Sequence, residues 1–386
     1  MQLVLPHRSR VAPQSFFLAA SCPETAAPAE AGGLPRPSWL AFGFTAMTWR
    51  PGHSECRARL RWDELSVPCH VYRRTREEVL QVPNSLGFLL AWLCWPRAVE
   101  PSCCFLYLHG FPDQSLDHRK ELSSYGQLRP TLPRRLAAQL LDARPEAAFA
   151  AFNFSGTPGS DASCPFRDKT VTQELSDTLA MISYLRERWP GLPIHVIGIS
   201  TGAIVASLLR GVGAIGDITI TTIAGLKNVQ RGFCFDFDTV QQQAFDSDGE
   251  CWKEFWLPRE SLSNPPEAKF NVLGSNSGSE GSDSERWEKA HLPLAAAYRE
   301  DFLKLDLSTA ISAGTAPLLV LHGDRDRSVP LENGQELFEA AAHPKELLVL
   351  KGGDHLLRSS KTASKAGRAI LDFTSKYPRG DTVDEH

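Results

Sequence analysis

Short apolar runs of strand length alternate with stretches of helical periodicity along the chain after residue 77. The run CCFLYLHG has apolar residues on both faces, which is typical of a strand in a sheet that is covered on both sides. The clearest helix covers residues 170 to 189 and has four apolar residues on one face, Leu175, Leu179, Ile182 and Leu185. This alternation predicts an α/β fold with a mostly parallel central sheet and helices on both faces.

The alternation begins with a strand, turn and strand, EEVLQVP, NSLG and FLLAWLCW, and is interrupted once. From residue 226 to about 300 the chain is rich in aromatic and acidic residues and contains the low-complexity stretch GSNSGSEGSDSE, so we expect an insertion with a mobile loop. We predict a disordered or targeting tail over residues 1–38 and an unassigned extension over residues 39–76. A domain follows over residues 77–378, with the insertion at 226–300, and residues 379–386 form a short second tail.

Charge and hydropathy argue against two classes of partner. The formal net charge is −4 and there is no long basic run, which argues against an electrostatic surface for nucleic acid. No apolar stretch approaches the roughly 18 to 20 residues that span a bilayer, because the longest candidate, FLLAWLCW, has the length of a strand. We therefore expect no nucleic-acid partner and no transmembrane segment, whereas the expectation of a small-molecule substrate rests on the motifs that follow.

Cysteine usage and the first residues bear on the compartment. The nine cysteines show no paired CxxC spacing, which favours buried, reduced thiols in an intracellular protein and argues against a zinc site. The first 23 residues contain Arg8 and Arg10 and no acid, a composition that fits a transit peptide and equally a disordered tail. The expected location is cytoplasmic, or plastid or mitochondrial if residues 1–38 act as a transit peptide.

The stretch VIGISTGAI joins a buried strand to a helix through a serine between two glycines. Such a serine is either a nucleophile on a tight turn or part of a plain loop, and the strand-to-helix setting favours the nucleophile, Ser200. Side chains at Gly198 and Gly202 would collide with a turn this tight. A helix N-terminus also favours negative charge that develops nearby.

A serine nucleophile needs a base, and the base needs an acid that orients it. His355 comes just after the last predicted strand and is the candidate base. Asp326 comes just after the strand before that one and is a candidate acid, with Asp324 as an alternative two residues earlier. Asp354 is less favoured, because side chains of neighbouring residues rarely make the contact from aspartate to Nδ1.

Acyl transfer also needs two donors for an oxyanion. The backbone N–H of Thr201, the residue after the candidate nucleophile, is one. The Phe111 N–H is the other, because Gly110 lets the chain turn after the strand in FLYLHGFPD. We interpret His109 and His322, near strand ends, as structural, and His195, which opens a strand, as either exposed or structural.

Two groups of side chains in the predicted insertion leave alternatives open. The aromatic group either lines an acyl pocket or forms the insertion's own core (Phe233, Phe235, Phe237, Trp252, Phe255 and Trp256). We interpret the acidic group as a solvated face rather than a metal site (Asp236, Asp238, Asp246 and Asp248).

These motifs, taken together, resemble the α/β-hydrolase fold superfamily over about residues 77 to 378. LYLHGFPD resembles its oxyanion loop, GISTG its nucleophile elbow, HGDRDRSVP its acid loop and GGDH its base loop, in the family's order of serine, acid and histidine. The resemblance places the acid at Asp326. FNFSGTPGS resembles the loop after the next strand, although Asn153 stands where the family usually has aspartate. Ile199 stands where histidine often precedes the nucleophile.

The resemblance implies a serine hydrolase with a lid insertion, most similar to the esterase-like and serine-aminopeptidase-like branch. It implies a catalytic triad of Ser200, Asp326 and His355, an oxyanion hole formed by the N–H groups of Phe111 and Thr201, and a carboxylic ester, thioester or amide as substrate. No cofactor and no metal are expected. Two alternatives on the same fold are an acyltransferase and a binding protein without catalysis.

Overall fold

The computed structural model describes residues 74–116, 131–160, 164–213, 216–258, 267–270 and 287–379. The predicted tail over residues 1–38, the extension up to residue 73, the low-complexity loop 274–285 and residues 380–386 lie outside the described residues. The described cysteines are free thiols, and all of them are buried except Cys234.

The strands of the described residues are β1 (Thr75–Asn84), β2 (Gly87–Pro96), β3 (Cys104–Leu108), β4 (Ala148–Phe152), β5 (Ile194–Ile199), β6 (Ile218–Ile223), β7 (Glu250–Pro258), β8 (Lys269–Phe270), β9 (Trp287–Ala295), β10 (Leu318–Gly323) and β11 (Lys345–Leu350). The helices are α1 (Leu132–Ala143), α2 (Val171–Arg188), α3 (Thr201–Gly211), α4 (Val229–Asp236), α5 (Thr239–Ser247), α6 (Ala296–Lys304), α7 (Leu307–Ala313), α8 (Leu331–Ala340) and α9 (Ser360–Lys376).

Eight strands form the central sheet in the order β1-β2-β4-β3-β5-β6-β10-β11. The pairs from β4 to β11 are parallel, whereas β2 runs antiparallel to both of its neighbours. The carboxyl ends of β3, β5, β10 and β11 therefore meet at one edge, where parallel α/β sheets bind their ligands. The predicted mostly parallel sheet is confirmed.

Both faces of this sheet are covered, because alternate residues of each strand enter different cores. In β3, Leu106 packs with one core, which includes residues of α2, α3, α7 and α8. Phe105 and Tyr107 pack with the other core, which includes residues of α1 and α9. The predicted helices on both faces are confirmed.

The predicted helix over residues 170 to 189 forms as α2, with the Thr170 side chain accepting a bond from Gln173 N at its start. Of its predicted apolar face, Ile182 and Leu185 are buried, and Leu175 and Leu179 are half-buried against the same core. Glu174 and Asp177 are buried on this helix as well. Lys169 forms an ion pair with Glu174, and Asp177 accepts hydrogen bonds.

Asp177 holds the β1–β2 hairpin against the loop after β4. Its carboxylate accepts bonds from Asn84 Nδ2 at 2.9 Å, from Gln173 Nε2 at 2.8 Å and from the backbone N–H of Ser155 at 2.7 Å. Burial raises the pKa of this carboxyl, and these hydrogen bonds act in the opposite direction. The network ties the hairpin tip to the strand that β2 covers.

The described residues between β6 and β10 add no strand to the central sheet. They contain helices α4 to α7 and a separate antiparallel sheet in the order β7-β9-β8. The interruption of the alternation in this part of the sequence therefore corresponds to a second small sheet with its own helices.

Candidate active site

Ser200 lies at the turn between β5 and α3 in a strained backbone conformation. Its φ is 54° and its ψ is −120°, a region that costs a residue other than glycine about 1 to 3 kcal/mol. A Cβ at Gly198 would overlap the backbone of Gly202, and a Cβ at Gly202 would overlap the carbonyl of Leu108. Glycine at both positions allows the turn to be tight enough to project the Ser200 side chain beyond the sheet edge.

Three of the predicted residues are in contact through their side chains. Ser200 Oγ lies 3.0 Å from His355 Nε2, and His355 Nδ1 lies 2.8 Å from Asp326 Oδ2. The Asp326 carboxylate is buried, whereas 17% of the His355 side chain is exposed. The histidine is therefore placed between a buried negative charge and the serine hydroxyl.

The loop after β10 fixes Asp326. Its Oδ1 accepts bonds from the backbone N–H groups of Ser328 and Val329, both at 2.9 Å. Burial opposes ionisation of this carboxyl, but the bonds with His355 and Val329 outweigh burial, and the pKa of Asp326 is lowered. His322 Nε2 donates to the Val329 carbonyl at 2.8 Å and lies 3.6 Å from Asp326 Oδ2, which fits the structural interpretation of this histidine.

The two alternative acids have other partners. Asp324 Oδ1 accepts a bond from Gly352 N at 2.6 Å and so holds the turn that leads to His355. Asp354 accepts bonds from the backbone N–H of Arg358 at 2.8 Å and from its guanidinium at 3.1 Å. Of the three aspartates, Asp326 is the one that contacts the histidine.

The loop after β3, residues 109–116, approaches Ser200 at Gly110, and we call it the oxyanion loop. A Cβ at Gly110 would lie 3.0 Å from Ser200 Cβ, so the Phe111 amide that follows is close to the serine. Thr201 is the first residue of α3, and the N–H groups of a helix's first turn have no partner within the helix. Both predicted donors are thus on segments that border Ser200.

Two buried side chains hold the oxyanion loop in place. His109 Nδ1 lies 2.8 Å from the Gly110 carbonyl, and its Nε2 accepts a bond from Phe154 N at 3.3 Å, as the structural interpretation of this histidine expects. Asn153 Oδ1 accepts bonds from Ser115 N and Leu116 N, both at 2.9 Å, and its Nδ2 donates to the Pro158 carbonyl at 2.9 Å. The amide suits this site because an aspartate could not donate to that carbonyl.

The Phe111 ring is clamped between the domain and the segment after β6. It stacks on Tyr298 of α6 at 5.1 Å and on Phe166 at 5.9 Å between ring centroids. The ammonium of Lys169 lies 5.4 Å from the same ring and forms an ion pair of 2.7 Å with Glu174. Sequence reasoning missed this buried pair, because Lys169 precedes α2 in a loop without periodicity.

Lys253 also lies near the Phe111 ring, and it is joined to Asp236. The Lys253 ammonium lies 5.7 Å from the Phe111 ring and 4.4 Å from Phe237, and it donates to the Asp236 carbonyl. Burial raises the pKa of the Asp236 carboxyl to about 6, with the charges of Lys253 and His355 acting in the opposite direction. The interpretation of Asp236 as part of a solvated face is therefore wrong, because it is half-buried near His355.

The aromatic residues of the segment after β6 pack mainly with each other. Phe237 lies 4.5 Å from Phe233 and 5.4 Å from Phe245 between ring centroids. The described residues of this segment (226–258, 267–270 and 287–300) contribute nothing to the lining of the cavity at Ser200. Of the two interpretations, the geometry favours the segment's own core over an acyl pocket. The side chain of Trp256 lies outside the described residues.

The cavity beside Ser200 has a volume of about 580 Å³. Its walls come from the ends of β3 and β5, the oxyanion loop, the start of α1 and the loop that carries His355. Tyr107, Leu132 and Leu356 give it an apolar lining, and Arg135 and Arg358 add positive charge. Within the described ranges, no group of three or more potential metal ligands is present, and no helix there is long and apolar enough to cross a membrane.

The geometry agrees with a family comparison. The model of the alpha/beta hydrolase family matches residues 105–361, which include Ser200, Asp326 and His355. The chain belongs to the alpha/beta hydrolase family. The matched range of this hydrolase begins within β3 and extends through the oxyanion loop to the start of α9, whereas the β1–β2 hairpin precedes it. No curated protein sequence matches the chain significantly.

Solved structures share the hydrolase fold at low sequence identity. Est1E from Butyrivibrio proteoclasticus is 16% identical with a TM-score of 0.52, over 78% of this chain and 99% of that one. The acylaminoacyl peptidase of Pyrococcus horikoshii is 13% identical with a TM-score of 0.53, over 81% of this chain and 43% of that one. A puromycin-hydrolyzing peptidase of Mycobacterium tuberculosis is 14% identical with a TM-score of 0.52, over 78% and 39%. At such identities the likeness shows the fold alone.

Proposed function

We propose that the protein is a serine hydrolase that cleaves a carboxylic ester, thioester or amide through an acyl-enzyme. The observation that carries this proposal is the contact of Ser200 Oγ with His355 Nε2 at 3.0 Å, with Asp326 2.8 Å from the other ring nitrogen. A serine hydroxyl is a weak nucleophile at neutral pH and attacks a carbonyl only when a base removes its proton.

In the proposed mechanism, Ser200 attacks the carbonyl carbon while His355 takes the hydroxyl proton. Asp326 holds the imidazole with its Nδ1–H toward the carboxylate and stabilises the imidazolium that forms. The N–H groups of Phe111 and Thr201 stabilise the oxyanion, and losing one such donor typically costs about 10² to 10³ in turnover. His355 then protonates the leaving group, and water, activated in the same way, releases the acyl group.

The volume of the cavity bears on the size of the substrate, whereas the names of the solved relatives do not identify it. Est1E has been solved with ferulic acid bound, and the peptidases above act on other bonds, so the fold leaves the acyl group open. A volume of about 580 Å³ lies in the range of pockets for small molecules. A panel of feruloyl, short-chain and aminoacyl esters and peptide amides would therefore identify the bond that is cleaved.

The test is labelling of the purified protein with a fluorophosphonate, which reacts with activated serines, together with turnover of 4-nitrophenyl esters. Ser200→Ala should abolish labelling and lower turnover by about 10⁶-fold, because loss of the serine alone costs nearly as much as loss of all three residues. Ser207→Ala is the matched control, since Ser207 lies on the same helix and donates to the Ala203 carbonyl.

The remaining outcomes separate the alternatives. Turnover that persists in Ser200→Ala would contradict the mechanism. A folded wild type that neither labels nor hydrolyses any ester would favour the binding-protein alternative. If labelling occurs and an added alcohol captures most of the acyl group, the enzyme is an acyltransferase on the same acyl-enzyme.

A further inference from the structure

The cavity beside Ser200 contains a positive charge that the proposed chemistry does not use. Arg135 of α1 and Arg358, three residues after His355, both line the cavity. The guanidinium of Arg358 is 3.1 Å from the Asp354 carboxylate, so its charge has a partner. Arg135 is different, because none of the described carboxylates forms an ion pair with its guanidinium.

The Arg135 guanidinium is held in one orientation by the loop that carries His355. Its Nη1 donates to the backbone carbonyl of Arg358 at 2.5 Å. Its Nε is buried and has no hydrogen-bond partner, although a buried N–H without a partner destabilises a fold. The guanidinium therefore brings a positive charge, without an ion-pair partner among the described carboxylates, to the cavity that contains Ser200.

The surroundings of Arg135 strengthen its attraction for a negatively charged group. Leu132, Leu356 and Tyr107 give the cavity apolar walls, and a low local dielectric increases the attraction between opposite charges. Among the described residues that line the cavity, Asp113 is the acidic one, and it is not an ion-pair partner of Arg135. The planar fork of a guanidinium matches the oxygens of a carboxylate or phosphate, which it binds with two parallel hydrogen bonds.

We propose that Arg135 is a specificity-determining residue that binds an anionic group, a carboxylate or a phosphate, on the molecule whose carbonyl Ser200 attacks. Arg358 adds positive charge to the same cavity, with its guanidinium more exposed. The inference rests on the proposed function for its reacting serine, but the binding of the anion itself does not require turnover.

The experiment uses two pairs of esters that differ in one charge. On the acyl side, mono-4-nitrophenyl glutarate is compared with its methyl-capped form, 4-nitrophenyl methyl glutarate. On the leaving-group side, 4-acetoxybenzoate is compared with 4-acetoxybenzamide. The quantity is the ratio of kcat/KM for the anionic ester to kcat/KM for the neutral ester within each pair. The pair with the larger ratio tells on which side of the scissile bond the anion binds.

Three variants separate the contributions of the planar guanidinium of Arg135, of its positive charge, and of the overall charge of the protein. Arg135→Gln should lower the ratio about 10-fold or more, as loss of a charge-assisted hydrogen bond predicts. Arg135→Lys should keep part of the ratio, since the charge stays while the fork is lost. Arg368→Gln is the matched control, because Arg368 is exposed on α9, does not line the cavity, and should leave the ratio unchanged.

Binding to the Ser200→Ala protein, measured by calorimetry, tests the same point without turnover. The anionic ester of one pair should bind about 10-fold more tightly than the neutral one, and adding Arg135→Gln should remove the difference. If the preference for the anion is present while the wild type hydrolyses nothing, the proposed function fails and this inference stands. Equal binding within both pairs, or a ratio that Arg135→Gln leaves unchanged, would overturn the inference.

Discussion

Asp324 and Asp326 are two positions apart and have different surroundings. Asp326 accepts two backbone bonds and lies 2.8 Å from His355 Nδ1, whereas Asp324 accepts a bond from Gly352 N at 2.6 Å. A carboxylate against Nδ1 sets which nitrogen of the imidazole carries the proton, and a neutral amide in that place cannot set it.

Asn substitutions at these two positions should therefore have unequal effects. Asp326→Asn should lower kcat by about 10⁴-fold, the loss expected when the base is held in the wrong tautomer. Asp324→Asn keeps an oxygen for the Gly352 N–H and should change kcat less than about tenfold, as a lost or weakened turn contact does. Steady-state turnover of a 4-nitrophenyl ester measures both. Equal losses in the two variants would mean that Asp326 is not the orienting acid.

At the scale of single elements, α6 supports the oxyanion loop through the ring of Tyr298. The ring is fully buried and stacks on Phe111, while its hydroxyl is buried without a hydrogen-bond partner. The ring and the hydroxyl of Tyr298 therefore make opposite contributions to the free energy of unfolding. Stacking is worth about 0.5 to 1.5 kcal/mol beyond the area it buries, whereas a buried polar group without a partner is unfavourable.

Two substitutions of Tyr298 separate these contributions. Tyr298→Leu keeps an apolar side chain but removes the ring, so the oxyanion loop should loosen and kcat should fall about tenfold with a smaller change in KM. Tyr298→Phe keeps the ring, and we expect a free energy of unfolding equal to or above that of the wild type. Ester kinetics and urea unfolding of both proteins are the measurements. A normal kcat in a folded Tyr298→Leu protein would show that the clamp does not position the loop.

Strand β5 contains a buried histidine that should make stability depend on pH. His195 Nδ1 lies 2.8 Å from Thr219 Oγ1 on β6, and burial, helped by the charge of Arg144, lowers its pKa to about 3. A depressed pKa means that the unfolded chain takes up the proton first as the pH falls. The stabilisation is complete above the ordinary histidine pKa of about 6.5 and is lost progressively toward pH 3.

Between pH 7 and pH 5 this residue should remove about 2 kcal/mol from the free energy of unfolding. His195→Gln should be less stable at pH 7, but its stability should fall less over that interval by about the same 2 kcal/mol. Urea midpoints at pH 5, 6 and 7 measure the slope, with the exposed His343→Gln as control. Identical slopes in wild type and His195→Gln would contradict the buried neutral histidine.

Local patterns predicted the elements of the central sheet, but not those between β6 and β10. Strand β7 did not stand out in the sequence, because Lys253 faces inward between Cys251 and Phe255 and breaks the apolar alternation. The Lys253 ammonium is buried against the Phe237 ring and donates to the Asp236 carbonyl. Both partners lie outside β7, so the local pattern of the strand does not reveal them. Such partners become visible only once the chain is folded.

Some residues of the site could be predicted from the sequence and others could not. Sequence singled out Ser200, Asp326 and His355 because each follows a predicted strand, and parallel strands bring their carboxyl ends together. The structure places the three side chains in contact, and their roles stay predictions until the variants are measured. Arg135 had no signal in the sequence, since nothing in the helical periodicity of α1 tells which exposed-face position will border a cavity.

At the scale of the whole molecule, one arginine joins three segments that are distant in sequence. Arg210 at the end of α3 is buried and donates to the carbonyls of Ala316 at 2.8 Å, Ala342 at 2.7 Å and Ile311. These carbonyls lie at the end of α7 and in the segments before β10 and β11. Burial lowers the pKa of the guanidinium to about 10, and it stays charged at neutral pH.

Arg210→Met should lower the free energy of unfolding by about 3 kcal/mol, because it removes three charge-assisted bonds and leaves buried carbonyls without donors. The midpoint of urea unfolding measures the loss, and Arg368→Met, at an exposed position of α9, is the control. Fluorophosphonate labelling under native conditions should remain, since Arg210 does not line the cavity. A midpoint within error of the wild type would mean that the three segments are held by packing alone.

The β1–β2 hairpin lies before the residues that match the family, yet it covers the apolar strand β4. Residues 91 to 94 of β2 pair with residues 149 to 152 of β4, all of which are buried. A shortened protein that starts where the family match starts would present AFAAF as a bare edge, which other copies can pair with. For recombinant expression, the practical first residue is therefore set by the hairpin, ahead of Thr75, and a chain cut at residue 105 would be expected in inclusion bodies.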